Sequence, residues 1–135
     1  MSASDPLAYI DASGLVKFVV TEPETEAMSH FLAGYRLASS AIAITEVMRA
    51  VARLDESLVA GALERLQPLF LVPPIADLLR SAGRLRPPGL RTLDAIHVAS
   101  ALSLGSGLDL LVTYDARMRA AAEQAGLRVE APGLP

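Results

Sequence analysis

Short, continuous apolar runs alternate along the chain with longer segments in which apolar positions recur at helical spacing. LAYID (7–11), RLASS (36–40), FLV (70–72), DLLVT (109–113) and LRVE (127–130) read as five strands. Between them, helices are predicted over 12–20, 24–34, 41–54, 55–69, 75–86, 92–105 and 115–126. Gly34, Gly105 and Gly126 serve as stops, Asp55 and Thr92 as N-caps, and Pro68 lies near the end of the fourth helix. PPGLR (87–91) reads as a loop, and the tail APGLP is expected to be loose. Strands that are apolar throughout and alternate with helices indicate an α/β protein with a parallel sheet covered on both faces. Ligands in such sheets bind beyond the carboxyl ends of the strands, so the residues that follow each strand carry the functional weight.

Composition narrows the class. A chain of 135 residues predicts one domain over 1–135, large enough to bury about two-thirds of its unfolded surface. Hydrophobic residues make up 52% and aromatics only 4%, so the core is built from Leu, Val, Ile and Ala. There is no cysteine, which excludes disulfides and thiolate metal sites and points to a reducing cytoplasm. The opening MSASDPLAYID has no basic region followed by an apolar run, and no uncharged apolar stretch reaches 18 residues. Neither a signal peptide nor a membrane span is expected. The net charge of −3 does not advertise a nucleic-acid binder.

Of the fifteen acids, four stand out from solvated surroundings. Asp11 ends the first strand and Asp115 follows the fourth, while Glu46 and Asp94 sit near helix beginnings. Each has a simpler reading. Asp115 suits an N-cap and Asp94 a helix first turn. Glu46 has Arg49 at i+3 and Arg53 at i+7 for a helix-face ion pair. Asp11 is hardest to explain that way, because it ends a strand expected to be central. Brought together at one sheet edge, four carboxylates would repel, and some would have to hold protons. Two divalent cations would balance them, and all-oxygen ligands suit Mg²⁺ or Mn²⁺ rather than zinc. Two such ions would bring the formal charge from −3 to +1, weakening the objection to a polyanionic partner.

The segments YIDASGLVKFV, SSAIAITEVMRA, LDAIHVASAL and LVTYDARMRAAAEQAGL, in that order over nearly the whole chain, resemble PIN domains. The similarity is in particular to the VapC-type ribonuclease toxins of bacterial toxin–antitoxin pairs. It implies a three-layer fold with a parallel sheet of about five strands ordered 3-2-1-4-5. It also implies one or two Mg²⁺ or Mn²⁺ ions, hydrolysis of RNA, a homodimer, and neutralisation by a VapB-like antitoxin whose apolar helix and tail occupy a groove near the active site. By position, Asp11, Glu46, Asp94 and Asp115 match the family's metal-binding and catalytic acids, with Ser13 and Thr113 as supporting hydroxyls. Some relatives carry a further acid soon after the fourth; here Ala116 and Arg117 follow, so a second metal would be weakly held or bind only with RNA.

Other residues keep two readings. His97 shares a face with Asp94 and is either a ligand or proton shuttle, or a packed side chain with one hydrogen bond. Arg49, Arg86, Arg91 and Arg117 are candidate RNA contacts, with Arg80, Arg84 and Arg119 nearby; solvated helix faces are the alternative. Met28, Phe31, Leu32 and Tyr35 suit either the core or a partner groove. Two competing functions remain: a catalytically weak PIN-like module that binds RNA or protein, and a phosphorelay receiver. The second lacks the paired acid after the first strand and the lysine after the last, since Lys17 is the only lysine.

Overall fold

A computed structural model describes residues 2–135. Five parallel strands form one sheet in the order β3-β2-β1-β4-β5. They are β1 (Leu7–Ile10), β2 (Arg36–Ser40), β3 (Phe70–Val72), β4 (Leu110–Val112) and β5 (Val129–Glu130). Seven helices connect them: α1 (Ala12–Val19), α2 (Thr25–Phe31), α3 (Ile42–Leu54), α4 (Val59–Leu66), α5 (Ala76–Gly83), α6 (Thr92–Ser103) and α7 (Ala116–Gln124). This order is the one that the resemblance implied, and it excludes the receiver reading, whose sheet runs 2-1-3-4-5.

The three layers follow from the strand pleat. Successive side chains point to opposite faces. Ala8 and Ile10 of β1, with Leu110 and Val112 of β4, pack among α1–α4 residues such as Leu15, Met28, Val47 and Leu66. Leu7 and Tyr9, with Leu111, pack among Val98 and Ala101 of α6 and Met118 and Ala122 of α7. Helix α5 joins that second layer through Leu78 and Ala82 against Ala95, Ile96 and Ala99 of α6. Every residue of α6 from Asp94 to Ala101 is buried, which is why its sequence is apolar or small on all sides.

Several boundaries differ from the sequence expectation. The helix expected over 55–69 begins with a 3₁₀ turn, Glu56–Leu58, before α4. Asp55 caps that turn, its carboxylate accepting from the Ser57 N–H at 2.9 Å. Thr92 is not a cap: Arg91 occupies the N-cap position of α6 and makes no side-chain capping bond there. Asp109 lies outside β4, with its carboxylate accepting from the Leu7 N–H at 2.8 Å. The start of the tail is tied to the fold where the Tyr114 hydroxyl donates to the Pro132 carbonyl at 2.8 Å, while residues 133–135 are exposed.

Candidate active site

The centre of the sheet positions the first acid. β1 and β4 are neighbours in register, Ile10 opposite Val112, so the residues that leave them, Asp11 and Thr113, meet at the carboxyl edge. Asp11 is 2% exposed and caps α1. Its Oδ1 accepts from Ser13 Oγ at 2.7 Å and the Gly14 N–H at 3.1 Å; its Oδ2 accepts from Thr113 Oγ1 at 2.7 Å. The same hydroxyls hold the next loop: Ser13 Oγ accepts from the Tyr114 N–H, and Thr113 Oγ1 from the Asp115 N–H, each at 3.2 Å. Burial pushes the Asp11 carboxyl above its usual range, against the hydrogen bonds from Thr113, Ser13 and Gly14. Among the described residues Asp11 has no ion-pair partner.

Asp115 fills two roles at once. As N-cap of α7 its Oδ1 accepts from the Met118 N–H at 2.9 Å, which bears out the capping reading. Its Oδ2 takes Arg91 Nη2 at 2.7 Å. Asp94, in the first turn of α6 and 8% exposed, takes Nε of the same guanidinium at 3.0 Å. Arg91 therefore bridges two of the four acids, a pairing that spacing alone does not signal. The two aspartates hold the guanidinium above its ordinary pKa, first through the hydrogen bond to Asp94.

Glu46 does not pair with Arg49 or Arg53. Its Oε1 lies 2.6 Å from His97 Nε2, and His97 Nδ1 lies 2.7 Å from the Tyr9 hydroxyl. His97 is 1% exposed and meets Tyr9 edge-on, with ring centroids 5.8 Å apart. It is a packed side chain, as the simpler reading held, but with a polar partner at each nitrogen. Burial pushes the Tyr9 phenol well above its usual range, and the charges of Asp11 and Glu46 act in the same direction. The sequence reading did not single out Tyr9. Its signal was a lone hydroxyl inside a strand buried on both faces.

Asp11 and Asp115 lie at strand ends, Asp94 on α6 and Glu46 on α3 against His97, and no three acid or histidine side chains among the described residues form a ready-made metal cage. The donor chemistry fits a hard divalent cation: carboxylate oxygens, one of them buried without a cationic partner. The opening between Asp94 and Asp115 is held by a guanidinium, which is wider than such an ion.

Of the arginines, Arg80 pairs with Asp77 on an exposed face of α5, which supports the solvated reading for it. Arg84 and Arg86 line a groove beside Pro87, Pro88, Leu90 and Thr92, next to the start of α6. Met28 and Leu32 are core residues, while Phe31 and Tyr35 stack at 6.0 Å and are partly buried. Tyr35 also lines an apolar groove with Phe18, Leu37, Leu69 and Phe70, at the amino ends of the strands.

Comparison with known proteins agrees with the fold. The PIN domain model matches residues 8–124. Ribonuclease VapC46 of Mycobacterium tuberculosis is 45% identical over 125 residues, covering 92% of this chain and 96% of its own length. Ribonuclease VapC35 of the same species is 38% identical over 136 residues, covering 94% and 98%. Among solved structures, M. tuberculosis VapC20, described as a sarcin-ricin loop cleaving toxin, superposes with a TM-score of 0.73 at 17% identity over 93% of this chain and 99% of its own. Rickettsia felis VapBC2, bound to a promoter DNA fragment, gives 0.71 at 16% over 93% and 98%. At those identities the two structures speak to the fold.

Proposed function

The chain belongs to the PIN-domain family, and from that membership we propose that it is a VapC-type toxin, a metal-dependent endoribonuclease that hydrolyses RNA phosphodiester bonds in the cytoplasm. The observation that carries the reading is the Asp11 site: a buried carboxylate, oriented by Ser13, Gly14 and Thr113, at the junction of the two central strands. Relatives named as ribonucleases across almost the whole chain favour turnover over a purely binding module.

Asp11, Asp94 and Asp115 would hold Mg²⁺ or Mn²⁺, one ion or two, with Glu46 as a ligand directly or through water. When bound, such an ion lowers the pKa of a coordinated water and stabilises developing negative charge on phosphate. The chain's own residues prepare that chemistry. Ser13 and Thr113 fix both oxygens of Asp11, so its rotamer is set before metal or substrate arrives. His97 fixes Glu46 from the protein side. Asp115 is held by the first turn of α7. Arg49, Arg86, Arg91 and Arg117 would contact the RNA phosphates.

A VapB-like antitoxin would neutralise the enzyme. The apolar groove lined by Phe18, Tyr35, Leu37 and Phe70 lies at the amino ends of the strands, away from the acids, and so is not the groove near the active site that the resemblance implied. A homodimer is part of the same proposal. Among the described residues no helix is long and apolar enough to cross a membrane. The test is cleavage of total cellular RNA by purified protein with Mg²⁺ or Mn²⁺, beside Asp11→Asn and a chelator control. Discrete fragments lost in both controls are expected. Cleavage that survives in Asp11→Asn would overturn the assignment.

A further inference from the structure

We infer that Arg91 is an internal counter-cation which a divalent metal must displace, and that its guanidinium thereby sets the metal affinity of the acidic site. The inference rests on the metal-dependent reading above and deepens it.

One guanidinium serves two carboxylates from different helices: Nε on Asp94 Oδ2 at 3.0 Å and Nη2 on Asp115 Oδ2 at 2.7 Å. Among the described residues neither aspartate has another ion-pair partner. The carboxylate charge that a metal would neutralise is already neutralised in part by this guanidinium. The two occupants exclude each other. Both are cations, and Mg²⁺ draws its ligands to about 2.0–2.1 Å, closer than a bridging guanidinium allows.

Arg91 is built to leave. Its side chain is 62% exposed, and it makes no capping bond at the start of α6, so swinging outward breaks two ion pairs and nothing else in the helix. Lys17 shows the opposite design. It is buried, bonded to Glu24 at 2.9 Å and seated 4.5 Å from the Tyr114 ring centroid, and its departure would strand charge in the interior. Exposed ion pairs are weak individually, so displacement by metal is feasible yet leaves a measurable competition. Displacement also frees the guanidinium for the phosphate contact proposed above.

The test is calorimetric titration of Mn²⁺ into the full chain, comparing the unaltered protein with Arg91→Ala and Arg91→Gln, and with Asp11→Asn as the damaged-site control. Melting temperatures are measured with and without Mn²⁺. Removing the guanidinium should tighten Mn²⁺ binding about tenfold, the scale expected when two partly exposed ion pairs no longer compete. It should also lower the metal-free melting temperature, because Asp94 and Asp115 then face each other unscreened, and enlarge the rise on adding Mn²⁺. Arg91→Gln retains hydrogen-bonding capacity without charge and should follow Arg91→Ala. Equal or weaker Mn²⁺ binding by both variants, with the unaltered protein binding, would overturn the inference and leave the metal-dependent reading standing. Binding indistinguishable from Asp11→Asn in every protein would overturn both.

Discussion

His97 and Glu46 form a 2.6 Å contact between a fully packed imidazole on α6 and the carboxylate of α3, across 51 residues of sequence. The imidazole is satisfied at both ends when the Tyr9 hydroxyl donates to Nδ1 and Nε2–H donates to Glu46. A residue in the middle of the sheet thus aims an acid at its edge. Replacing His97 by Ala leaves a cavity, a phenol without its imidazole partner and an unrestrained Glu46, and should destabilise the protein by about 2–4 kcal/mol. His97→Gln keeps an N–H donor near the Nε2 position and should recover part of both stability and RNA cleavage. Urea unfolding beside a cleavage assay checks this. Full activity and stability in His97→Ala would show that the contact does not matter.

Tyr9→Phe isolates the other half of the chain. The ring and its packing remain, and only the hydroxyl donor to His97 Nδ1 is lost. A buried nitrogen left without its partner should cost about 1–2 kcal/mol. Cleavage should fall less than in His97→Ala, because Nε2 still faces Glu46.

Asp11 carries a pH-dependent cost in the metal-free protein. Burial raises its folded-state pKa above the unfolded value of 3.8, against the hydrogen bonds that favour the anion. The folded state therefore holds the proton more tightly than the unfolded chain. This site's stabilising contribution is complete below the unfolded pKa and is lost as pH rises through the folded one. Asp11→Asn cannot ionise and escapes that loss. Its metal-free melting temperature should exceed that of the unaltered protein at neutral pH, and the gap should close toward pH 4. The same variant should lose RNA cleavage. A gap that stayed constant with pH would rule out ionisation of Asp11 as its cause.

β1, β3 and β4 were legible because each is apolar throughout, and Asp11 drew notice because it follows such a run. Their order was not in the periodicity; it came with the resemblance to PIN domains, and the sheet has that order. What stayed hidden was pairing. Arg49 stands one helical turn from Glu46, so helix spacing favoured it, yet tertiary packing brings in His97 instead. Arg91 was read as an RNA contact, and nothing in its spacing from Asp115 announced the bridge. Asp94 and Asp115 lie far apart in sequence, so their shared counter-ion is a property of how α6 and α7 pack on the sheet. The failed Thr92 cap has a local cause: the chain enters α6 one residue earlier, through Arg91.

Gly14 tests how tightly the Asp11 turn is built. A Cβ added there would lie 2.5 Å from Ile10 Cγ2 and 3.7 Å from Asp11 Oδ1. Ile10 is fully buried beneath α1 and has little room to yield. Gly14→Ala should therefore destabilise the protein by about 1–3 kcal/mol through overpacking. It should also lower RNA cleavage more than its stability loss explains, since the displaced first turn carries the N–H that holds Asp11 Oδ1. Thermal unfolding and initial cleavage rates separate the two effects; an unchanged rate in well-folded Gly14→Ala would show that the turn tolerates the shift.

The arginines proposed for RNA contact can be told from those that only solvate the surface. A phosphate contact adds to the salt dependence of binding, lowering the slope of log K against log salt by about 0.7 when it is removed from a single-stranded complex. Arg86→Ala and Arg117→Ala should each weaken binding of a single-stranded RNA and flatten that slope by about one contact. To keep the RNA intact, the titration is done in the Asp11→Asn background. Arg80→Ala serves as the comparison, because Arg80 is engaged by Asp77 at 2.6 Å on an exposed helix face. It should leave affinity and slope unchanged. If Arg80→Ala weakened binding as much as Arg86→Ala, the attraction would be the general field of the surface rather than contacts made beside the acids.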